Sequence, residues 1–384
     1  MDVTPILEHL NDAQREAVTA EPGPMLVLAG AGSGKTRVLA HRVAWLANVL
    51  DVSPRSILAV TFTNKAAGEM RGRIENLLQM PVSHLMIGTF HGIAHRLLRQ
   101  HYREANLPQA FTIIDSDDQR RVVRRVIREL DLDESQWVPR EAQWYINARK
   151  DEGRRPANIE PRDDPQSVTM LKIYQAYAEA CQRGGMVDFA ELLLRAHELW
   201  LHNDTLLDYY RNRFRHLLVD EFQDTNTVQY AWLRVLAGKT GYPFVVGDDD
   251  QSIYGWRGAK IENIQRFSTD FPGTQTVRLE QNYRSTGNIL SAANGLIANN
   301  ASRLGKQLWT EGAEGDPVRI YSAFNERDEA DFVVNRIRRY LDSGDARADI
   351  AILYRSNAQS RTFEEALFNA NVPYRVYGGL RFFE

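Results

Sequence analysis

The stretch that decides the fold is "MLVLAGAGSGKTRVLAHRVAWLANVL", residues 25–50. Its first six residues are a short apolar run of the kind that forms a strand buried on both faces. A glycine-rich turn follows, then Lys35 and Thr36, and from there apolar residues recur at helical spacing. In that order these parts build a phosphate cradle. Backbone N–H groups of the turn and of the helix N-terminus point at the anion, Lys35 reaches the terminal phosphates, and the Thr36 hydroxyl is a ligand for magnesium. Ala29, Gly30, Ala31, Gly32, Ser33, Gly34, Lys35, Thr36 and Arg37 are therefore the candidate nucleotide-binding residues here. Ala29 stands where a glycine is usual in this Walker A spacing, and its small side chain is tolerable there.

A second stretch answers the first. In "LLVDEFQDTNTVQY", residues 217–230, an apolar run delivers Asp220 and Glu221 side by side, with Asp224 close behind. Carboxylates so close repel one another, and desolvation adds to the cost unless a cation sits there. Asp220 is expected to hold hydrated magnesium and Glu221 to orient and polarise an attacking water. The strand carrying them is expected directly beside the Walker A strand.

Around these motifs, "SILAVTFT" and "LMIGTF" read as strands separated by the helical "NKAAGEMRGRIENLL", a parallel α/β rhythm. The rhythm stops over 89–214, which reads as a mostly helical insertion with "DEGRRPANIEPRDDP" as a loop. It resumes with "HLLVDEF" and "PFVVGDDD", and a second alternating series is expected in "TVRLEQN", "VRIYSAF", "DIAILYRS" and "YRVYGG". The chain stops at "GGLRFFE", two phenylalanines beside an expected strand, so the second unit reads as unfinished.

Composition bounds the rest. At 384 residues, 43% hydrophobic and 25% charged, the chain is sized for two or three globular domains. No apolar run reaches the roughly 18 residues of a membrane helix, and the N-terminus lacks a secretory plan, so a cytoplasmic protein is expected. The single cysteine, Cys181, reads as structural. A net charge of -3 carries no global signature of nucleic-acid binding, so any such contact must be local. The Arg-rich "QRRVVRRVIREL", 119–130, is one local candidate for such a contact, but its Val, Ile and Leu spacing is amphipathic and favours a solvated helix face.

Seven segments in order, "LNDAQREAV", "AGAGSGKT", "TFTNKAAGEM", "IGTFHG", "LVDEFQDT", "VGDDDQSIYGWRGA" and "LEQNYRS", resemble the motifs of superfamily 1 DNA helicases of the UvrD, Rep and PcrA group. The resemblance covers essentially the whole chain. It implies an α/β fold: a RecA-like P-loop NTPase domain (1–88 plus 215–280) with a helical insertion (89–214), then the N-terminal part of a second RecA-like domain (281–384). It implies ATP and Mg2+ as cofactors, with Gln14 reading the adenine, Tyr283 stacking on it, Gln251 contacting the γ-phosphate and Arg284 acting as an arginine finger. Lys35, Glu221, Gln251 and Arg284 are then the catalytic set, and Thr36 and Asp220 the metal ligands.

For DNA, the resemblance points to Phe62, Asn64, His91, Phe189, Tyr254, Trp256, Arg257, Arg355 and Asn357. Aromatic residues in polar loops suit base stacking. The implied activity is ATP-dependent 3'-to-5' translocation on single-stranded DNA and unwinding of duplexes with a 3' single-stranded tail, in DNA repair and beside other repair proteins. Two later family motifs and a second insertion are not found, so the chain reads as an N-terminal fragment. The alternative expectation is a nucleotide- and single-strand-binding module that does not unwind.

Overall fold

The structure is a computed structural model that describes residues 3–377 apart from 83, 161–162 and 302. It forms two compact units, Met1–Gly315 and Asp316–Glu384. The terminal "GGLRFFE" lies outside the described residues.

The first unit is built on a six-stranded sheet. Its strands are β1 (Met25–Ala29), β2 (Ile57–Thr61), β3 (Met86–Thr89), β6 (His216–Val219), β7 (Tyr242–Gly247) and β8 (Gln275–Leu279), in the order β3-β2-β6-β7-β1-β8 and all parallel. Successive side chains leave a strand on opposite faces, and both faces are covered. Met25, Val27 and Ala29 of β1 enter one core with Val38, Val43 and Ile74, while Leu26 and Leu28 enter the other with Leu97, Trp200 and Trp232. That is why the strands read as unbroken apolar runs.

Two expectations about the sheet need correction. The Asp220 strand, β6, is not next to β1: β7 lies between them and pairs with both. "TVRLEQN" does not begin a second series. Its strand, β8, pairs with β1 from Met25↔Gln275 to Ala29↔Leu279 and completes the first sheet. The alternating burial of β8 suits an edge, where it has one neighbour.

Among the described residues between β3 and β6 the only strands are a two-residue pair, β4 (Thr112–Ile113) with β5 (Met186–Val187), and the regular structure is otherwise helical. A separate core of Val123, Ile127, Trp137, Ile146, Tyr174, Tyr177 and Cys181 holds this part together. Cys181 is buried, and burial pushes its thiol up to about 11, which suits a packing role. The helix Ser116–Glu129 buries Val123, Val126 and Ile127 and leaves its arginines to surface pairs such as Arg121–Asp118, as expected. The stretch read as a loop contributes more than a connection. Arg155 reaches both Glu198 oxygens at 2.7 and 2.6 Å and Glu191 at 2.8 Å, and buried Lys150 meets Asp188 at 2.6 Å and Glu191 at 3.0 Å.

In the second unit, the helices Glu326–Asp342 and Ser360–Asn369 pack through Val334, Ile337 and Leu367, joined by Val372 just beyond the second helix. "VRIYSAF", "DIAILYRS" and the described part of "YRVYGG" form no strand among the described residues. Apolar, β-branched sequence favours a pleated surface, but a strand exists only when a neighbour supplies the ladder. Here Ile320, Phe324 and Leu353 are more than 90% exposed. No helix among the described residues is long and apolar enough to cross a membrane.

Candidate functional site

A parallel sheet brings the carboxyl ends of all its strands to one edge, and ligands of such sheets bind there. Ala29, Thr61, Thr89, Val219, Gly247 and Leu279 end their strands at this edge, so the quoted motifs converge although they lie far apart in the chain.

The turn after β1 needs its glycines. Gly32 and Gly34 have φ of 68° and 87°, in the left-handed region, and Gly34 caps the helix Lys35–Asn48 without any side chain covering its N–H groups. A Cβ on Gly32 would sit 2.5 Å from Asn282 Nδ2. That closeness is functional in form: Asn282 Nδ2 donates to Ala31 O at 2.6 Å, and the Tyr283 N–H donates to Gly32 O at 3.0 Å. The "QNYR" segment thus grips the turn, and buried Asn282, which sequence reasoning passed over, is the grip. The Ser33 hydroxyl donates to Gly30 O at 2.7 Å and stiffens the turn from inside.

Gln14 is fully buried. Its Nε2 donates to Ser33 O at 2.8 Å, and its Oε1 accepts the Asn11 N–H at 3.1 Å as half of a capping box. In this structure it braces the turn and has no exposed edge for a base. Asn11 also donates through Nδ2 to the Tyr283 hydroxyl at 2.8 Å, and that hydroxyl donates to Gln281 Oε1 at 2.8 Å. Tyr283 is half exposed beside Gln14's cap. Arg284 is exposed, with its Cβ 2.9 Å from where a Gly32 Cβ would lie, so it rises directly over the turn. Arg37 is also exposed, and its guanidinium lies 3.4 Å from His9 O.

Carboxylates line the opposite wall. The Thr36 hydroxyl donates to Asp220 Oδ2 at 3.2 Å, and Lys35 Nζ lies 3.3 Å from Glu221 Oε2 and 4.0 Å from Asp248 Oδ2. Burial first, and then repulsion from Glu221, push Asp220 up to about 6, with Lys35 opposing. Burial and Glu221 likewise raise Asp224 to about 6, and its buried Oδ1 has no hydrogen-bond partner among the described residues. A hydroxyl and a carboxylate in contact, beside a second carboxylate that raises the cost of charge, are hard oxygen donors that suit magnesium. Glu221 has φ of 51°, a costly conformation for a residue with a Cβ. Gln223, another residue sequence reasoning missed, holds it there: Nε2 donates to Glu221 Oε2 at 2.8 Å while Oε1 accepts the Asp248 N–H at 2.9 Å.

Gln251 ends a short turn after β7, and its amide donates to Asp248 Oδ2. Six residues after Asp248, Tyr254 stacks on Phe62 with ring centroids 5.3 Å apart and planes at 17°. The rings of Tyr254 and Trp256 lie 6.3 Å apart with their planes tilted at 55°, and the Arg257 guanidinium lies 4.8 and 4.6 Å from their centres. Trp256 is 76% exposed, which no packing role requires. Asn64, exposed, opens the helix that follows Phe62. His91 and exposed Phe189 form a second pair, edge to face at 6.0 Å, and burial lowers His91 to about 4, so it is neutral near pH 7.

The family model of the UvrD/REP helicase N-terminal domain matches residues 10–272, and that of the UvrD-like helicase C-terminal domain matches 277–384. The chain belongs to the UvrD/REP helicase family. It is 65% identical over 384 residues to DNA helicase II of Escherichia coli (strain K12), covering 100% of this chain and 53% of that protein. Identity is 58% over 388 residues to DNA helicase II of Haemophilus influenzae, again across 100% of this chain and 53% of the relative. It is 43% over 380 residues to the ATP-dependent DNA helicase PcrA of Staphylococcus epidermidis, covering 99% and 52%. The chain spans about half the length of the curated relatives it matches.

Within this UvrD/REP family chain, the first unit gathers Gln14, the 29–37 segment, Asp220, Glu221, Gln251, Tyr283 and Arg284 at one edge of the sheet, and Phe62, Tyr254, Trp256 and Arg257 into one cluster. Arg355 and Asn357 belong to the second unit, where both are exposed and Asn357 opens a short helical turn. The Arg355 N–H donates to Gln359 Oε1 at 3.0 Å.

Proposed function

We propose that the chain is the ATP-binding motor portion of a cytoplasmic DNA-repair helicase that moves 3'-to-5' on single-stranded DNA. The observation that carries this reading is the segment from Asp248 to Arg257. One end presents Gln251 beside Lys35 and the carboxylates, and the other presents a stacked aromatic platform. In this reading the triphosphate lies along the 30–36 turn, Lys35 leaves Glu221 for the β and γ phosphates, and Gln251 leaves Asp248 for the γ-phosphate. Glu221 then accepts a proton from the attacking water, and the Arg284 fork stabilises the spreading phosphoryl charge. Thr36 and Asp220 would hold magnesium, which supplies charge neutralisation at the phosphates. Because Gln251 and Trp256 share one short segment, loss of the γ-phosphate relaxes the grip on stacked bases. Stacking is nearly indifferent to base identity, which suits a translocase.

A second reading has its own support. The second unit carries exposed Ile320, Phe324 and Leu353 and no strand ladder among the described residues, so the chain alone would bind nucleotide and single strands without separating a duplex. ATP hydrolysis assayed with and without an oligonucleotide, together with a 3'-tailed duplex in Mg-ATP, separates the two. DNA-stimulated turnover with strand separation supports the motor, and binding without separation supports the module. Absence of both nucleotide and single-strand binding refutes both readings.

A further inference from the structure

We propose that Lys306, braced by Arg303, is a positioning residue for the nucleotide pocket: it holds Asp248 charge-compensated so that Lys35 and Gln251 can leave that carboxylate for the phosphates. This rests on reading the pocket as an ATP site. Asp248, Asp249 and Asp250 follow β7 directly, and one oxygen from each lies within 4.8 Å of the others, a grouping that would suit a metal ion. The structure puts an ammonium there instead. Lys306 Nζ is 2.7 Å from Asp248 Oδ1 and 3.0 Å from Asp250 Oδ2 and also contacts Asp249 Oδ1, with its side chain only 3% exposed.

The turn around Lys306 is built for this. Arg303 meets both Asp250 oxygens at 2.8 Å and donates to Lys306 O at 2.8 Å, while the Leu304 N–H donates to Asp249 Oδ2 at 2.8 Å. Gly305, with φ of 74°, makes the bend. Burial alone would favour neutral Lys306, but the three carboxylates outweigh it and raise its pKa, so the cation persists at any working pH.

Asp248 is the point of leverage because its two oxygens face different ways. Oδ1 takes Lys306, while Oδ2 accepts Gln251 and stands 4.0 Å from Lys35. Both groups on Oδ2 are those proposed to reach the phosphates. With Lys306 in place, their departure leaves a carboxylate that still has a partner. Without it, two buried acids and the half-buried Asp250 would keep Arg303, which meets only Asp250, as the cation on that side, so Asp248 would hold Lys35 and Gln251 more tightly and the cluster would repel a triphosphate.

The test is titration of the chain with a fluorescent ATP analogue in magnesium, with thermal melts as the folding control. Wild-type binding is the baseline, and its absence would refute the ATP reading itself rather than the role of Lys306. Lys306→Met is expected to weaken binding about tenfold, and Lys306→Arg to stay within about threefold, because it keeps the charge. Lys306→Met with Asp249→Asn removes one of the stranded charges and is expected to recover most of the loss. A folded Lys306→Met with wild-type affinity overturns the proposal, as does a double variant no tighter than the single one. If Lys306→Met gives no cooperative melt, Arg303→Met, which removes the outer cation, is expected to weaken binding about threefold, and wild-type affinity there overturns the proposal equally.

Discussion

Asp151 offers the sharpest quantitative test of how the helical part supports the edge of the sheet where the motifs converge. It sits at the end of the helix Pro139–Asp151, where Asn226 Nδ2 donates to its Oδ1 at 2.9 Å and a Cβ on Gly258 would lie 3.6 Å from its Oδ2. Asn226 caps the helix behind the Asp220 motif, and Gly258 follows the aromatic platform, so one carboxylate touches both. Burial first, then Asp188, and more weakly Glu152, raise it from 3.8 to about 7, with Lys150 opposing. The sign follows from proton binding. Between those two values the unfolded chain has released a proton that the folded chain keeps, so stability falls as pH rises through this window and levels off above about pH 7. With about 1.4 kcal/mol per pH unit, ionisable Asp151 costs roughly 2 kcal/mol at pH 5 and ~4 kcal/mol at pH 8. Asp151→Asn keeps an acceptor for Asn226 and removes the charge. Melts of both proteins at the two pH values should show the variant's advantage growing by about 2.5 kcal/mol from pH 5 to pH 8, a shift of several degrees. An advantage that is the same at both values, or a variant less stable at pH 8, refutes the assignment of a raised carboxyl at this joint.

Other substitutions address the pocket and the track. Glu221→Gln should keep nucleotide and magnesium affinity within about threefold while abolishing hydrolysis, and Asp220→Asn should weaken magnesium-dependent binding; equal loss of affinity in a calorimetric titration would contradict that division. Gly32→Ala combines φ of 68° with a 2.5 Å approach to Asn282 Nδ2, so nucleotide binding should fall at least about tenfold with the fold kept, as read by the ATP-analogue titration and circular dichroism. Trp256→Ala should cost about 1 to 3 kcal/mol of single-strand affinity, roughly 5- to 150-fold by fluorescence anisotropy, with nucleotide affinity unchanged. Wild-type single-strand affinity in that variant would remove Trp256 from the track.

What could be read from the chain alone was local. A phosphate turn is encoded in one contiguous stretch, because its φ > 0 positions demand glycine and its lysine must open the helix, and "AGAGSGKT" shows both requirements on the page. Buried parallel strands announce themselves by apolar runs, and five of the six in the sheet were legible as members of it from that signal. Tertiary structure decided what depends on neighbours. No periodicity says that β7 separates β6 from β1, that β8 closes the first sheet, or that apolar runs in the second unit lack a ladder among the described residues, since pairing is a choice among distant partners. Gln223, Asn282 and Lys306 stayed hidden for the same reason. An amide or an ammonium has no meaning until folding places Glu221, the Ala31 carbonyl or three aspartates around it, and the low dielectric of that burial is what gives each contact its weight.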